Sequence, residues 1–167
     1  MRVVLYTISL LVVLVSSSIA DTGKVIRVTD GDTIIVVMPK KTVSVRLYGI
    51  DCPEYNQHMG CSAKSFTEQL VLNKIVTVNK ITVDRYGRLI ADIIIDNESL
   101  SEELVKVGYA WVYTKYCDSE ICQQWQKYEE KAKSKRFGIW AKSNPTPPWD
   151  FRKQQKQEDT KYESKCN

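Results

Sequence analysis

At 167 residues the chain is long enough for one domain and too short for two comfortable ones. Charged residues at 26% and hydrophobic residues at 43% exclude a disordered chain. A formal charge of +4 at pH 7 permits contact with a polyanion but decides nothing by itself.

Residues 1–20 stand apart. Arg2 gives a positive start, Val3 to Val15 is almost wholly apolar, and Ser18-Ile19-Ala20 offers the small residues a signal peptidase reads. This reads as a secretory signal peptide, which implies export to a periplasmic or extracellular location. An uncleaved membrane anchor is the competing reading, but the apolar run is shorter than the roughly 20 residues that span a bilayer.

From Gly23 to Ile95 the pattern is mostly strand. Val25, Ile26 and Val28 open it, and Asp30-Gly31 gives a turn before a strand at Thr33 to Met38. After Pro39-Lys40-Lys41, the stretch Thr42 to Ile50 alternates Val43, Val45 and Leu47 against Ser44, Arg46 and Tyr48. A helix is predicted from about Ser62, with Ala63, Phe66 and Leu70 at helical spacing. Two further strands are predicted at Ile75 to Val83 and Arg88 to Ile95.

The back half reads as helical. Ser99-Leu100-Ser101-Glu102 fits a capping box, and Gly108 stands where that helix would stop. A second helix is predicted over Ser119 to Arg136, with Ile121, Trp125, Tyr128 and Ala132 on one face and Gly138 ending it. The prolines of Asn144-Pro145-Thr146-Pro147-Pro148 cannot continue a helix, and the Gln-rich, charged residues that follow read as a mobile tail over 143–167. Five strands with a helix after the third, then further helices, predict an α+β, mainly β architecture. It is a five-stranded OB-type barrel with about three packed helices, occupying residues 21–142.

All five cysteines, Cys52, Cys61, Cys117, Cys122 and Cys166, fall after the apolar leader. Export makes disulfides plausible, and closeness in sequence favours Cys117–Cys122 and Cys52–Cys61, with Cys166 left over. Four cysteines still allow three connectivities. Zinc ranks below disulfides, because neither pair has zinc-finger spacing and His58 is the only histidine.

Three charged clusters carry chemistry. They are Asp30-Gly31-Asp32-Thr33 in a turn, Arg46 to Glu54 at the end of the third strand, and Asp84-Arg85-Tyr86-Gly87-Arg88 between the last two strands. Each alone is an ordinary turn or surface feature. Together they supply what phosphodiester hydrolysis requires. Asp32 and Asp51 are hard oxygen ligands for calcium or magnesium. Arg46 and Arg88 can hold a phosphate through fork-shaped donor sets and stabilise charge growing on it. Glu54 can orient or deprotonate a water. A single histidine excludes mechanisms that need a histidine pair, and His58 reads as a surface residue.

These three runs, in this order and spacing, resemble the signature segments of the staphylococcal nuclease family, as do the Ser99 to Gly108 helix and the closing Phe137-Gly138-Ile139-Trp140. The resemblance implies a calcium-dependent endonuclease acting on DNA and RNA, by in-line attack of water that leaves a 3′-phosphate and a 5′-hydroxyl. It implies calcium on Asp32, Asp51 and the backbone carbonyl of Cys52, with Arg46 and Arg88 on the scissile phosphate and Glu54 serving the water. Arg85 and Tyr86 would bind the terminal phosphate of a nucleotide. Tyr113 and Tyr116 would line the nucleotide groove and stack on bases. Cys52 replaces a threonine of the founding member, Arg85 replaces a lysine, and the tyrosine region aligns in more than one way. A Cys52–Cys61 bond would brace the active-site loop. The competing readings are a catalytically silent barrel that only binds nucleic acid or protein, and a phosphoesterase for small nucleotides. Retention of Asp32, Arg46, Asp51, Glu54 and Arg88 favours the enzyme.

Overall fold

The computed structural model describes residues 21–166, with side chains described to residue 157. The predicted signal peptide lies outside the described residues. The elements in chain order are β1 (Asp21–Asp30), β2 (Thr33–Met38), β3 (Lys41–Leu47), β4 (Ile50–Asp51), α1 (Gly60–Val71), β5 (Ile75–Val83), β6 (Leu89–Ile95), β7 (Glu98–Ser99), α2 (Leu100–Lys106), β8 (Trp111–Val112), α3 (Glu120–Ser134) and α4 (Pro148–Cys166). Short 3-10 turns at Thr114–Tyr116 and Gly138–Ala141 connect the last helices.

The strands follow the order β3-β2-β1-β5-β6, and a parallel pairing of β3 with β6 closes them into the expected five-stranded barrel. That pairing sets Val45 beside Leu89 and Arg46 beside Ile90. Val25, Ile34, Val36, Val45, Val76, Val78, Ala91 and Ile93 fill the interior, each side of a strand alternating between core and solvent. Register shifts between Val25 and Arg27 and between Val28 and Asp30 bend β1 enough to serve two neighbours.

Helix α1 lies against the barrel through Gly60, Ala63, Thr67 and Val71, one stripe at helical spacing. The Thr67 hydroxyl donates to the Gly31 carbonyl at 2.7 Å, tying the helix to the β1–β2 turn. Half of the predicted capping box is seen: the Glu102 amide donates to Ser99 Oγ at 3.3 Å, while the Glu102 carboxylate meets Lys106 and Trp125 Nε1. Gly108 takes a left-handed φ of 75° at the end of that helix.

Several expectations need correction. The stretch Thr42 to Ile50 is two strands rather than one, because Gly49, at φ 72°, breaks it and turns the chain into β4. Helix α3 buries Cys122, Trp125, Glu129 and Ala132, while Ile121 is exposed. Its inward face is offset by one residue because the disulfide of Cys122 and the carboxylate of Glu129 have partners inside. Cys122 bonds Cys117, as predicted, and Glu129 accepts from the Val112 amide at 3.0 Å.

The second predicted disulfide is absent: Cys52 is a buried free thiol and Cys61 an exposed one. Cys52 turns inward toward Gly31 and Ala63, whereas Cys61 faces outward from the first turn of α1. A helix also stands where a mobile tail was expected. The prolines that end the preceding segment start a new one, since a proline at the first helical position forfeits no internal hydrogen bond.

Candidate active site

The β1–β2 turn, the β3–β4 bend and the loop after β4 meet at one mouth of the barrel. In the turn, Asp30 Oδ1 accepts from the Asp32 amide at 3.1 Å. A Cβ at Gly31 would lie 2.7 Å from Cys52 Cβ and 2.9 Å from Ala63 Cβ. Only glycine lets the turn come this close to the loop behind Asp51. The Cys52 amide reaches back to donate to Asp32 Oδ2 at 2.6 Å.

Asp32, from the turn, and Asp51, from β4, thus converge, and their residues remain only 3% and 1% exposed. Arg46, at the end of β3, bridges them: one guanidinium nitrogen contacts Asp32 Oδ1 and the other contacts Asp51 Oδ1 at 2.6 Å. Burial of two carboxylates is tolerable only because a fixed cation and backbone donors meet their oxygens. Burial pushes the Cys52 thiol well above its ordinary pKa; Arg46 opposes this, and Asp30, Asp51 and Glu54 add to it. Cys52 is buried, and its amide holds Asp32 Oδ2.

Glu54 lies three residues on, partly exposed, in a loop fixed by reciprocal bonds. The Gln57 amide donates to the Glu54 carbonyl at 2.9 Å, and the Glu54 amide donates to Gln57 Oε1 at 3.1 Å. Strand β4 pairs with β8, placing Asp51 opposite Trp111, and the Tyr113 amide donates to the Gly49 carbonyl at 2.8 Å. Tyr113 therefore emerges beside the carboxylates. Tyr116 meets it edge-on, with ring centroids 5.0 Å apart. The Cys117–Cys122 disulfide packs against Gly49, so that the bond supports the bend from beneath.

The β5–β6 turn forms a separate constellation. Asp84 Oδ1 accepts from the Tyr86 and Arg88 amides, both at 2.9 Å, and Arg88 Nε donates to Asp84 Oδ2 at 2.8 Å. Burial acts to raise the Asp84 pKa, but the hydrogen bonds from Arg88 and Tyr86 outweigh it and hold the carboxyl below its ordinary value. Arg85 lies over the Tyr86 ring at 4.8 Å, and Arg88 at 5.7 Å. Strand alternation returns Arg88 to the face that carries Arg46, but its bonds run to Asp84 rather than to Asp32, Asp51 or Glu54. The structure therefore brings Asp32, Arg46, Asp51, Cys52 and Glu54 together, with Tyr113 and Tyr116 alongside. Arg85, Tyr86 and Arg88 form a neighbouring exposed turn.

The sequence reading missed three contributors. Arg152, on the first turns of α4, donates to Asp51 Oδ2 at 2.8 Å, to Asp51 Oδ1 at 3.2 Å and to Glu54 Oε1 at 2.6 Å. Trp149 stacks on Tyr113, with centroids 4.9 Å apart and planes within 9°. Gln57 Nε2 donates to the Thr146 carbonyl at 2.5 Å. The one available signal was compositional: Trp149 and Phe151 are aromatic residues inside an otherwise polar segment.

Oxygen-seeking cations take carboxylates and backbone carbonyls. Asp32 and Asp51 offer carboxylate oxygens of that kind, and the shared Arg46 shows that the two side chains reach one point. The other acidic group is Glu98, Glu102 and Glu103, whose oxygens also lie close together. There Lys106 already bridges all three carboxylates, at 3.8, 2.6 and 2.8 Å.

Fold and site together define an OB-type barrel that carries a buried carboxylate–arginine cluster and a more accessible glutamate at its mouth. Residues 44–142, more than half of the chain, match the family described as staphylococcal nuclease homologue. An endonuclease of Escherichia coli is 37% identical over 131 residues, which are 78% of this chain and 84% of that protein. A micrococcal nuclease of Shigella flexneri is 33% identical over 143 residues, 80% of this chain and 82% of its own. A 38.1 kDa protein of Capnoides sempervirens is 40% identical over 136 residues; these are 81% of this chain and only 38% of that longer relative. The chain belongs to the staphylococcal nuclease family, and family and relatives together support a nuclease.

Proposed function

We propose that the chain is an exported, calcium-dependent endonuclease that hydrolyses phosphodiester bonds of DNA and RNA, leaving 3′-phosphate and 5′-hydroxyl ends. The observation that carries this reading is the convergence of two buried carboxylates, Asp32 and Asp51, on one guanidinium beside Glu54. Asp32, Asp51 and the Cys52 carbonyl would hold calcium, which would supply positive charge to offset that growing on the phosphate. Arg46 contributes a fixed cation at the same point, and Arg88 adds a second from the β5–β6 turn. Glu54 accepts the proton of the attacking water or orients it. Arg85 and Tyr86 bind a terminal phosphate, while Tyr113 and Tyr116 present faces to the bases.

Export is supported by the character of the first twenty residues and by the Cys117–Cys122 disulfide, a bond suited to an oxidising compartment. No helix among the described residues is long and apolar enough to cross a membrane.

The test is digestion of heat-denatured DNA and of RNA by the chain from residue 21 onward, in calcium and then in excess chelator, with the product ends identified. Calcium-dependent cleavage to 3′-phosphates is expected. Glu54→Gln should lower the rate by a factor of about 10² to 10⁴, the usual contribution of a general base. A folded protein that binds nucleic acid in calcium but does not cut it would instead be a binding module.

A further inference from the structure

The C-terminal segment places a cation and an aromatic ring where a nuclease of this design needs a metal and a base. Both oxygens of Asp51 are taken: Oδ1 by Arg46 and Arg152, and Oδ2 by Arg152 alone. Arg152 also holds one oxygen of Glu54. A divalent cation on Asp51 would need those same oxygens and would sit against a guanidinium of like charge. Arg46 leaves Oδ2 of Asp51 open, whereas Arg152 takes it, so Arg152 and the cation compete for that oxygen.

Trp149, three residues earlier on the same helix, lies parallel on one face of Tyr113, while Tyr116 abuts the ring edge-on. A nucleobase approaching that face of Tyr113 would meet the indole already stacked there. Gln57, which fixes the Glu54 loop, grips the same segment through Thr146. Three contacts thus join residues 146–152 to three different parts of the candidate site. All three fall beyond residue 142, the last residue of the family match.

The attachment is built to be released. The Arg152 side chain keeps 43% of its surface exposed, so water can solvate it on departure. Pro145, Pro147 and Pro148 limit the freedom of the segment, which lowers the entropy lost each time it docks.

We propose that residues 144–152 form an autoinhibitory latch, in which Arg152 occupies the cation position on Asp51 and Trp149 the base position on Tyr113, so that docking of the segment and loading of calcium exclude each other. This rests on the reading of Asp32 and Asp51 as the calcium ligands. Coupling between two ligands of one site is reciprocal: calcium expels the latch to the degree that the latch weakens calcium.

The experiment is a calorimetric titration of the chain from residue 21 onward with calcium chloride alone, in the absence of nucleic acid. Wild type is compared with Arg152→Gln, Trp149→Ala and Asp51→Asn. If the latch is docked nine-tenths of the time, its release tightens apparent calcium affinity about tenfold, because only the open fraction binds. Arg152→Gln and Trp149→Ala should both show that gain. The second variant matters because deleting Arg152 also removes a nearby positive charge, which would strengthen calcium binding with no latch at all. Tightening in Arg152→Gln alone, or weaker binding in either variant, overturns the latch while leaving the calcium site standing. Equal affinity in wild type, Arg152→Gln and Trp149→Ala does the same. Absence of calcium binding in wild type, or undiminished binding in Asp51→Asn, overturns the metal reading and the latch with it.

Discussion

Two acidic clusters in this molecule look alike in composition and differ in everything that decides function. Asp32, Asp51 and Glu54 come from a turn, a short strand and a loop, and two of them are sealed from solvent by the barrel. Glu98, Glu102 and Glu103 lie within one short stretch of β7 and the first turn of α2, close in sequence from the outset. The first cluster is neutralised by arginines whose planar forks span two carboxylates, the second by the flexible ammonium of Lys106. Carboxylates gathered against their electrostatic preference and then buried must be held by the whole fold. Carboxylates gathered by a helix turn need no such support, and their lysine settles the charge locally.

That contrast can be broken most directly at the two cations. Arg46→Ala should abolish cleavage and lower stability by about 3–5 kcal/mol, because it strands buried carboxylates without their partner. Urea denaturation read by tryptophan fluorescence measures the loss, and a loss below 1 kcal/mol would mean that water already reaches Asp32 and Asp51. Reduction of Cys117–Cys122 comes next. Closing so short a loop is worth about 2 kcal/mol by chain entropy, and the bond also backs the Gly49 bend that aims Asp51. Melting with and without reductant gives the first effect, and the calcium dependence of cleavage gives the second. Lys106→Ala should be the mildest, at most about 1 kcal/mol, as for other partly exposed ion pairs, with cleavage unchanged. If it matched Arg46→Ala in either measurement, the two clusters would not differ in kind.

The five-stranded barrel was legible in the sequence, and so was the clustering of the charged residues at its mouth. Asp32, Arg46, Asp51 and Glu54 were legible because turn residues, a strand end and a charged loop set them in short runs whose chemistry is complementary. Barrel closure was legible too, since each strand alternates over its own few residues. What escaped were relations between distant segments. Whether Cys52 pairs with Cys61 depends on which way each leaves its backbone, and the loop from Pro53 to Met59 points one inward and the other out. The inward face of α3 moved off Ile121 because a disulfide and a carboxylate claimed the interior, and periodicity weighs neither. Helix α4 lacks an apolar stripe to announce it. Arg152 and Asp51 lie 101 residues apart, so nothing local links them.

The parallel seam between β3 and β6 also has a consequence for how the chain folds. Loops that join distant residues are entropically slow to close, and this seam pairs Val45 with Leu89, across the helix α1 and strand β5 that lie between them in the chain. Asp32 and Asp51 acquire their shared arginine only once β3 is seated between β2 and β6. A ribosome-bound fragment ending before Leu89 therefore carries Asp32, Asp51 and Glu54 but lacks the strand β6 on which β3 closes. The order of synthesis alone thus leaves the barrel wall open until β6 is made.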